Sequence, residues 1–166
     1  MDLDHLHLPF ILDTDVIRPI FEFYYPPELF PEIWAGIDGL LEKNLLYSVE
    51  DVKKECQSQL GNNPDALSWI DENSSIFLPP EAEDFIVQSE ILSHSEFQMS
   101  KEEIEKGKTK ADIYLVARGK CMNGCVVTNE TYQPVGRKIP TICERYHVDC
   151  ISRIDFIRIL REKRYI

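Results

Sequence analysis

Carboxylates stand at the ends of two predicted strands of this chain. The stretch FILDTDVI places Asp13 and Asp15 directly after the apolar run 10–12. Glu130 follows the predicted strand 125–128 after a single intervening residue. A carboxylate is costly to remove from water unless something pairs with it. Acids at these positions therefore call for a chemical role or a counter-charge.

Further acids lie on the predicted helices beside these strands. Asp112 is in the N-terminal turn of the helix that precedes strand 125–128, and Glu55 is in the first two turns of the helix that follows the second strand. Glu50 and Asp51 stand at the start of that same helix. Each also has an ordinary reading, since Asp112 can complement a helix dipole, Asp51 can cap a helix and Glu55 can be a solvated acid.

Three or four carboxylates at one edge of a sheet cannot all stay ionised without a counter-charge. Mg²⁺ and Mn²⁺ prefer oxygen ligands, and such ions can activate water and stabilise the leaving oxygen of a phosphodiester. This chemistry needs acids rather than histidines, and the chain has only four histidines. The strand-end acids alone therefore indicate metal-dependent phosphoryl chemistry as one reading.

The elements that must position these acids alternate between short apolar strands and helices. Strands are predicted at 8–13, 45–47, 76–78, 125–128 and 148–151. Helices are predicted at about 29–41, 51–60, 66–71, 85–92 and 139–146, with one over the stretch 108–120 that closes at Gly119 or Gly124 and a last amphipathic helix capped by Ser152. Ser48 is predicted to open the second helix as part of a capping signal. The alternation favours an α/β fold with a mainly parallel central sheet, whose functional sites form beyond the carboxyl ends of the strands.

The bulk composition limits the class of protein. A chain of 166 residues with 43% hydrophobic and 28% charged residues is typical of one globular domain. No apolar run reaches the roughly 20 residues of a membrane span, and the acidic start MDLDHLHLPF is unlike a signal peptide. The five cysteines, an odd number, favour reduced thiols over a disulfide framework. We therefore expect a cytoplasmic protein with no membrane association.

The net charge of −11 is unevenly distributed along the chain. Residues 1–100 contain 20 Asp/Glu and 4 Lys/Arg, a balance of −16, whereas residues 101–166 contain 9 Asp/Glu and 14 Lys/Arg, a balance of +5. The basic part could meet an anionic partner, or it could neutralise the acidic part of the same fold. Charge alone does not decide between these two readings.

Taken in order, the motifs FILDTDVI, SVEDVKKEC, KADIYLVARGK and CVVTNE resemble the PIN domain, a family typified by VapC-type toxin ribonucleases. The chain is most similar to an uncharacterised PIN-like branch known as a domain of unknown function. That branch shares a Tyr-Tyr-Pro segment, here residues 24–26, a Lys-Ile-Pro segment, here 138–140, and a closing run from Cys143 to Ile151. The resemblance implies a three-layer α/β/α sandwich, with a single PIN-like domain over 8–163 and short termini at 1–7 and 164–166.

The resemblance also implies the roles of individual residues. Asp13, Asp112 and Glu130 would bind Mg²⁺ or Mn²⁺, and Glu55 would be the helix acid that completes the catalytic set, with Glu50 and Asp51 as alternatives. Asp15 and Thr128 would support the site. Asp15 stands where many relatives have Asn, which adds a negative charge, and Glu130 stands where many have Asp.

The activity implied is metal-dependent cleavage of single-stranded RNA, and the role implied is that of the toxin in a type II toxin–antitoxin pair. Five basic residues are candidates for contact with the RNA backbone: Lys106, Lys108, Lys110, Arg137 and Lys138. An antitoxin protein and a second copy of the chain are the expected partners. Two alternatives stay open, a PIN-like binding module with an unused metal site and a DNA-directed nuclease.

Overall fold

The computed structural model describes residues 7–98 and 111–162, except for the side chains of Phe23 and Tyr24. The strands are β1 (Phe10–Leu12), β2 (Leu46–Val49), β3 (Phe77–Leu78), β4 (Cys125–Thr128) and β5 (Asp149–Ser152). The α-helices are α1 (Thr14–Pro19), α2 (Pro31–Glu42), α3 (Glu50–Gln59), α4 (Pro64–Glu72), α5 (Ala82–Ser93), α6 (Ala111–Cys121), α7 (Ile139–Tyr146) and α8 (Arg153–Glu162).

The five strands form one parallel sheet in the order β3-β2-β1-β4-β5. The central strand β1 pairs with β2 through Phe10 opposite Leu46 and with β4 through Leu12 opposite Val127. The chain therefore winds outward in one direction from β1 to β3 and in the other direction from β4 to β5. The predicted α/β class with a parallel sheet is confirmed, and so are the five strands to within a few residues.

Helices cover both faces of the sheet, as a three-layer sandwich requires. Successive strand residues point to opposite faces. On one face the ring of Phe10 meets that of Phe156 in α8, with centroids 5.2 Å apart. On the other face Val126 packs beneath Gly119 of α6, where an added Cβ would come within 2.7 Å of the valine. The sheet is thus buried on both sides, which explains why its strands read as continuous apolar runs.

Two local predictions need correction. Ser48 does not cap α3, because it lies inside β2, where its buried Oγ donates a 2.6 Å hydrogen bond to the Leu12 carbonyl oxygen. The segment after β1 is helical, although no helix is predicted there. Asp13 caps α1, and a π-helical turn over Ile20–Tyr24 continues it. The helix was not predicted because it contains Pro19, and proline is usually excluded from helix interiors.

No helix in the described part of the chain is long and apolar enough to cross a bilayer.

Candidate active site

The candidate site lies at the carboxyl edge of the sheet, between β1 and β4. These two strands are neighbours, and the backbone N–H of Asp13 donates a 3.0 Å bond to the Val127 carbonyl oxygen. The order of the strands reverses at this point, because β1 is followed along the chain by its neighbour on the other side, β2. A crevice at such a switch point is the usual place for a site in an open α/β sheet.

The Asp13 carboxylate is buried, with 7% of the residue exposed. Its Oδ1 accepts a 2.6 Å bond from the Thr14 backbone N–H, and its Oδ2 accepts a 2.8 Å bond from the Thr128 hydroxyl. Burial raises the pKa of Asp13 well above its usual value, and the charges of Asp15 and Asp112 raise it further. The hydroxyl of Thr128 acts in the opposite direction. Asp13 is therefore held rigidly in a region of excess negative charge.

Asp15 joins the start of α1 to the chain beyond β4. Its Oδ1 accepts a 2.8 Å bond from the Asn129 backbone N–H. The guanidinium of Arg153 lies 3.4 Å from the Asp15 carbonyl oxygen. These contacts place Asp15 beside the site, where its charge adds to the electrostatic cost of ionising Asp13.

Glu55 reaches the same edge from α3. Its Oε2 accepts a 2.6 Å hydrogen bond from the Thr14 hydroxyl, and Thr14 directly follows Asp13. Asp51, one of the alternatives, instead lies 3.3 Å from the Lys54 ammonium on the surface of the same helix. Glu55 therefore contacts the residue next to Asp13, whereas Asp51 is paired with Lys54 on the helix surface.

Asp112 is in the first turn of α6 and faces the other acids. Burial raises the pKa of Asp112 to about 6, and the charges of Glu130 and Glu55 contribute in the same direction. The charges of Arg137 and Lys138 lower it. Asp112 therefore lies within electrostatic reach of Glu130, which follows β4, of Glu55 in α3 and of two predicted RNA-binding residues.

Glu130 is engaged by groups at the start of α7. Its Oε1 accepts a hydrogen bond from the Lys138 ammonium, and its Oε2 accepts a 2.8 Å bond from the Ile139 backbone N–H. Its own backbone N–H donates to the Thr128 hydroxyl at 3.1 Å. Glu130 thus stands at the same edge as Asp13 and Asp112, but its carboxylate already has a cationic partner.

These residues suit a hard divalent cation in type and charge. Asp13, Asp112 and Glu55 offer carboxylate oxygens, and burial first and neighbouring carboxylates second raise the pKa values of both aspartates. Within residues 7–98 and 111–162, however, no three His, Cys, Asp or Glu side chains are already arranged as a metal site. Glu130 is already bound to Lys138, so it would have to share its carboxylate with a bound ion or exchange one partner for the other.

Two of the predicted RNA-binding residues, Arg137 and Lys138, flank these acids, since both of their charges lower the pKa of Asp112. The other three, Lys106, Lys108 and Lys110, lie outside the described residues.

Thr14 and the Ile139 backbone N–H were not predicted to take part in the site. Thr14 was not predicted because α1 was not predicted. The signal was present, since Val16, Ile17 and Ile20 have the apolar spacing of a buried helix face. The Ile139 N–H belongs to the first residue of α7, whose Pro140 is typical of a helix start. That signal located the helix but not the carboxylate that binds to it.

The sequence and the fold were compared with those of known proteins. No curated protein matches the sequence significantly. Two solved structures resemble the fold. One is VapBC2 from Rickettsia felis bound to a DNA fragment from its promoter, with a TM-score of 0.50 and 15% identity, covering 86% of this chain and 97% of the other. The other is FitAcB from Neisseria gonorrhoeae, with a TM-score of 0.51 and 19% identity, covering 87% and 98%.

The resemblance to the PIN domain is thereby confirmed at the level of the fold. A family profile described as "Domain of unknown function (DUF4411)" matches residues 10–164, nearly the whole chain. The chain therefore belongs to the DUF4411 family.

Proposed function

We propose that this protein is a metal-dependent endoribonuclease that acts on single-stranded RNA in the cytoplasm, as the toxin of a toxin–antitoxin pair. The observation that carries the proposal is the excess negative charge around Asp13 at the switch point of the sheet. Burial and the charges of Asp15 and Asp112 all oppose ionisation of Asp13. Strong carboxylate crowding of this kind is characteristic of sites that hold a cation or move a proton.

Asp13 and Asp112 would hold Mg²⁺ or Mn²⁺, together with Glu130 once it is released from Lys138. The metal would supply an activated water and would stabilise charge on the phosphate. Thr128 keeps the Asp13 carboxylate oriented, and Thr14 does the same for Glu55. Glu55 would orient or deprotonate the attacking water, while Arg137 and Lys138 would face the phosphate backbone.

The direct test is cleavage of a labelled single-stranded RNA by the purified protein with Mn²⁺. Asp13→Asn and Asp112→Asn should each abolish cleavage, because each removes a charged ligand without changing the size of the side chain. Asp71→Asn, at an exposed position of α4, is the matched control and should cut like the wild type. Equal residual cleavage by the wild type and Asp13→Asn would mean that the activity is a contaminant.

A groove beside the π-helical turn that follows α1 supports a protein partner. It has a volume of about 1000 Å³ and is built around the ring of Phe21, whose centroid lies 5.3 Å from Trp34 and 5.2 Å from Trp69. Four carboxylates line it: Glu22, Glu28, Asp65 and Glu72. No Lys or Arg is among its described lining residues. An antitoxin segment with apolar anchors and basic residues would complement such a surface.

This partner can be tested when a neighbouring gene encodes a small DNA-binding protein. The two proteins are co-purified, and the affinity is compared with that of the double variant Glu28→Lys/Asp65→Lys, which should lose binding and show a weaker salt dependence. Asp51→Lys, outside the groove, should bind normally. Unchanged binding of the double variant would place the partner elsewhere.

The ion pair between Lys138 and Glu130 favours a second candidate, a PIN-like binding module that uses no metal. In that case the ammonium would be the permanent counter-ion of the acids. Calorimetry with Mn²⁺ separates the candidates, because the module should bind the ion no better than at millimolar background. A panel of DNA and RNA substrates would in turn distinguish a DNA-directed nuclease from a ribonuclease.

A further inference from the structure

Lys138 makes a contact with Glu130 that differs from the surface ion pairs of this protein. The ammonium binds Glu130 Oε1, and the next residue, Ile139, donates its backbone N–H to Oε2 of the same carboxylate at 2.8 Å. The Glu130 side chain is 19% exposed and that of Lys138 is 40% exposed, so the acid is the more buried partner. By contrast, Arg145 and Glu96 lie 3.9 Å apart with side chains 55% and 41% exposed. Two hydrogen-bond donors at the start of α7 thus hold the Glu130 carboxylate.

The ammonium also faces the other acids of the site. Besides its bond to Glu130, the ammonium lies within electrostatic reach of Asp112 and Asp15. A charge within reach of three acids does what a cation at this edge would do. It balances carboxylates that would otherwise repel one another.

The Lys138 ammonium and a divalent cation would compete for the Glu130 carboxylate, because each is a positive charge that needs the same negative charge. Each Glu130 oxygen already accepts a hydrogen bond, and bringing a second cation against it would place two positive charges side by side. Lys138 directly precedes the first residue of α7. Only its side chain has to move to release Glu130. The stem of a lysine is flexible enough for that movement.

We propose that Lys138 is a tethered counter-ion of the candidate metal site, which Mg²⁺ or Mn²⁺ must displace from Glu130. Before metal binding, Lys138 is the ion-pair partner of Glu130. After displacement its ammonium is free to bind the phosphate of the substrate, and Lys138 becomes a positioning residue for RNA. This inference rests on the proposed function and adds to it an order of events. The ion pair breaks as the metal enters.

The test is calorimetric titration of Mn²⁺ into the full-length, metal-free protein. Lys138→Met, which keeps the apolar stem, should bind Mn²⁺ about tenfold more tightly than the wild type, a difference of about 1.4 kcal/mol. Lys138→Arg should stay near the wild-type affinity because it keeps a cation at this place. Arg137→Met removes the same charge nearby without breaking the Glu130 ion pair, and should tighten binding only about twofold.

A second readout follows the lysine itself. Nitrogen-detected NMR of the Lys138 ammonium should show a signal protected from exchange in the metal-free protein, and this protection should be lost when Mg²⁺ is added. Glu130→Gln should remove the protection without any metal. Thermal unfolding of each variant confirms that it is folded before its affinity is interpreted.

The outcomes separate this inference from the proposed function. If the wild type binds Mn²⁺ but Lys138→Met binds no more tightly, or if Arg137→Met tightens binding equally, the displacement is wrong while the nuclease stands. If only Lys138→Met binds Mn²⁺, the competition between Lys138 and the metal is supported, and the wild type is not a metal-dependent enzyme. If neither binds, both proposals fail.

Discussion

The hydroxyl of Thr14 donates a 2.6 Å hydrogen bond to Oε2 of Glu55, across 41 residues of sequence. Thr14 is the first residue of α1, and its backbone N–H binds the Asp13 carboxylate at the same time. One residue therefore fixes acids from two different elements. Its neighbour Asp13 is fixed a second time by Thr128, so the two threonines orient Asp13, a proposed metal ligand, and Glu55, the proposed partner of the attacking water.

Thr14→Val should separate Glu55 from this arrangement while keeping the shape of the side chain. Loss of the buried hydroxyl should cost about 1–2 kcal/mol of unfolding free energy and lower the rate of RNA cleavage more than tenfold. Chemical denaturation and single-turnover cleavage measure the two effects. Thr14→Ser keeps the hydroxyl and should retain most of the activity. If Thr14→Val is fully active, Glu55 needs no orientation by this bond.

Thr128→Val should affect Asp13 and Glu130 together. The hydroxyl donates to Asp13 and accepts from the Glu130 backbone N–H, and Thr128 is 1% exposed. Two buried groups would lose their partner, so the cost should be about 1–3 kcal/mol. The affinity for Mn²⁺ should fall as well, since removing the donor raises the pKa of Asp13 further. Thr128→Ser serves as the control, and a Thr128→Val protein with wild-type stability and affinity would contradict this role.

The metal-free protein should become less stable as the pH rises from about 4 to about 7. The pKa of Asp112 is about 6 in the folded protein, whereas an aspartate in the unfolded chain titrates near 4. Between these values the folded state binds more protons than the unfolded state, so stability declines with increasing pH. Asp13, whose pKa is also raised, adds to the same trend.

Thermal unfolding across this pH range provides the measurement. Asp112→Asn should be more stable than the wild type near pH 7 and should show a shallower pH dependence, because it has no charge to desolvate. Saturating Mg²⁺ should also reduce the slope for the wild type. An Asp112→Asn profile parallel to that of the wild type would mean that Asp112 is not the titrating group.

Gly36→Ala should loosen the contact between α2 and α8. A Cβ at Gly36 would come within 2.9 Å of Leu160 Cβ and 3.0 Å of the Leu160 carbonyl oxygen, so the helices would have to separate. The expected cost is about 1–3 kcal/mol. Gly61→Ala meets nothing closer than 3.5 Å and is the natural comparison. Equal stability of the two variants in urea would show that the helices adjust without strain.

The sequence predicted the strands well because both faces of the sheet are buried, which turns each strand into an apolar run with an acid or a turn at its end. Asp13 and Glu130 could be placed at one edge for the same reason. The helix after β1 was missed because Pro19 lies within it, and the capping role of Ser48 was wrong because its hydroxyl is used between strands. Local patterns do not contain these tertiary partners.

The state of Glu130 could not be predicted either. Glu130 and Lys138 are eight residues apart, and the segment between them forms neither helix nor strand. Its path decides whether the lysine turns to solvent, to RNA or to the acid. Gln133 in this segment exchanges two hydrogen bonds with the Thr141 hydroxyl of α7, a tertiary contact that the local pattern does not contain.

The pairing of β1 with β4 also has a consequence for the timing of synthesis. Asp13 and Thr128 meet across 115 residues, so a ribosome that has released only the first 100 residues presents Asp13 without Thr128, Glu130 or Asp112. Domains whose contacts join distant parts of the chain complete their structure late. The candidate site can therefore form only after the last third of the chain has been synthesised, and a shorter nascent chain carries Asp13 without the residues that surround it in the finished fold.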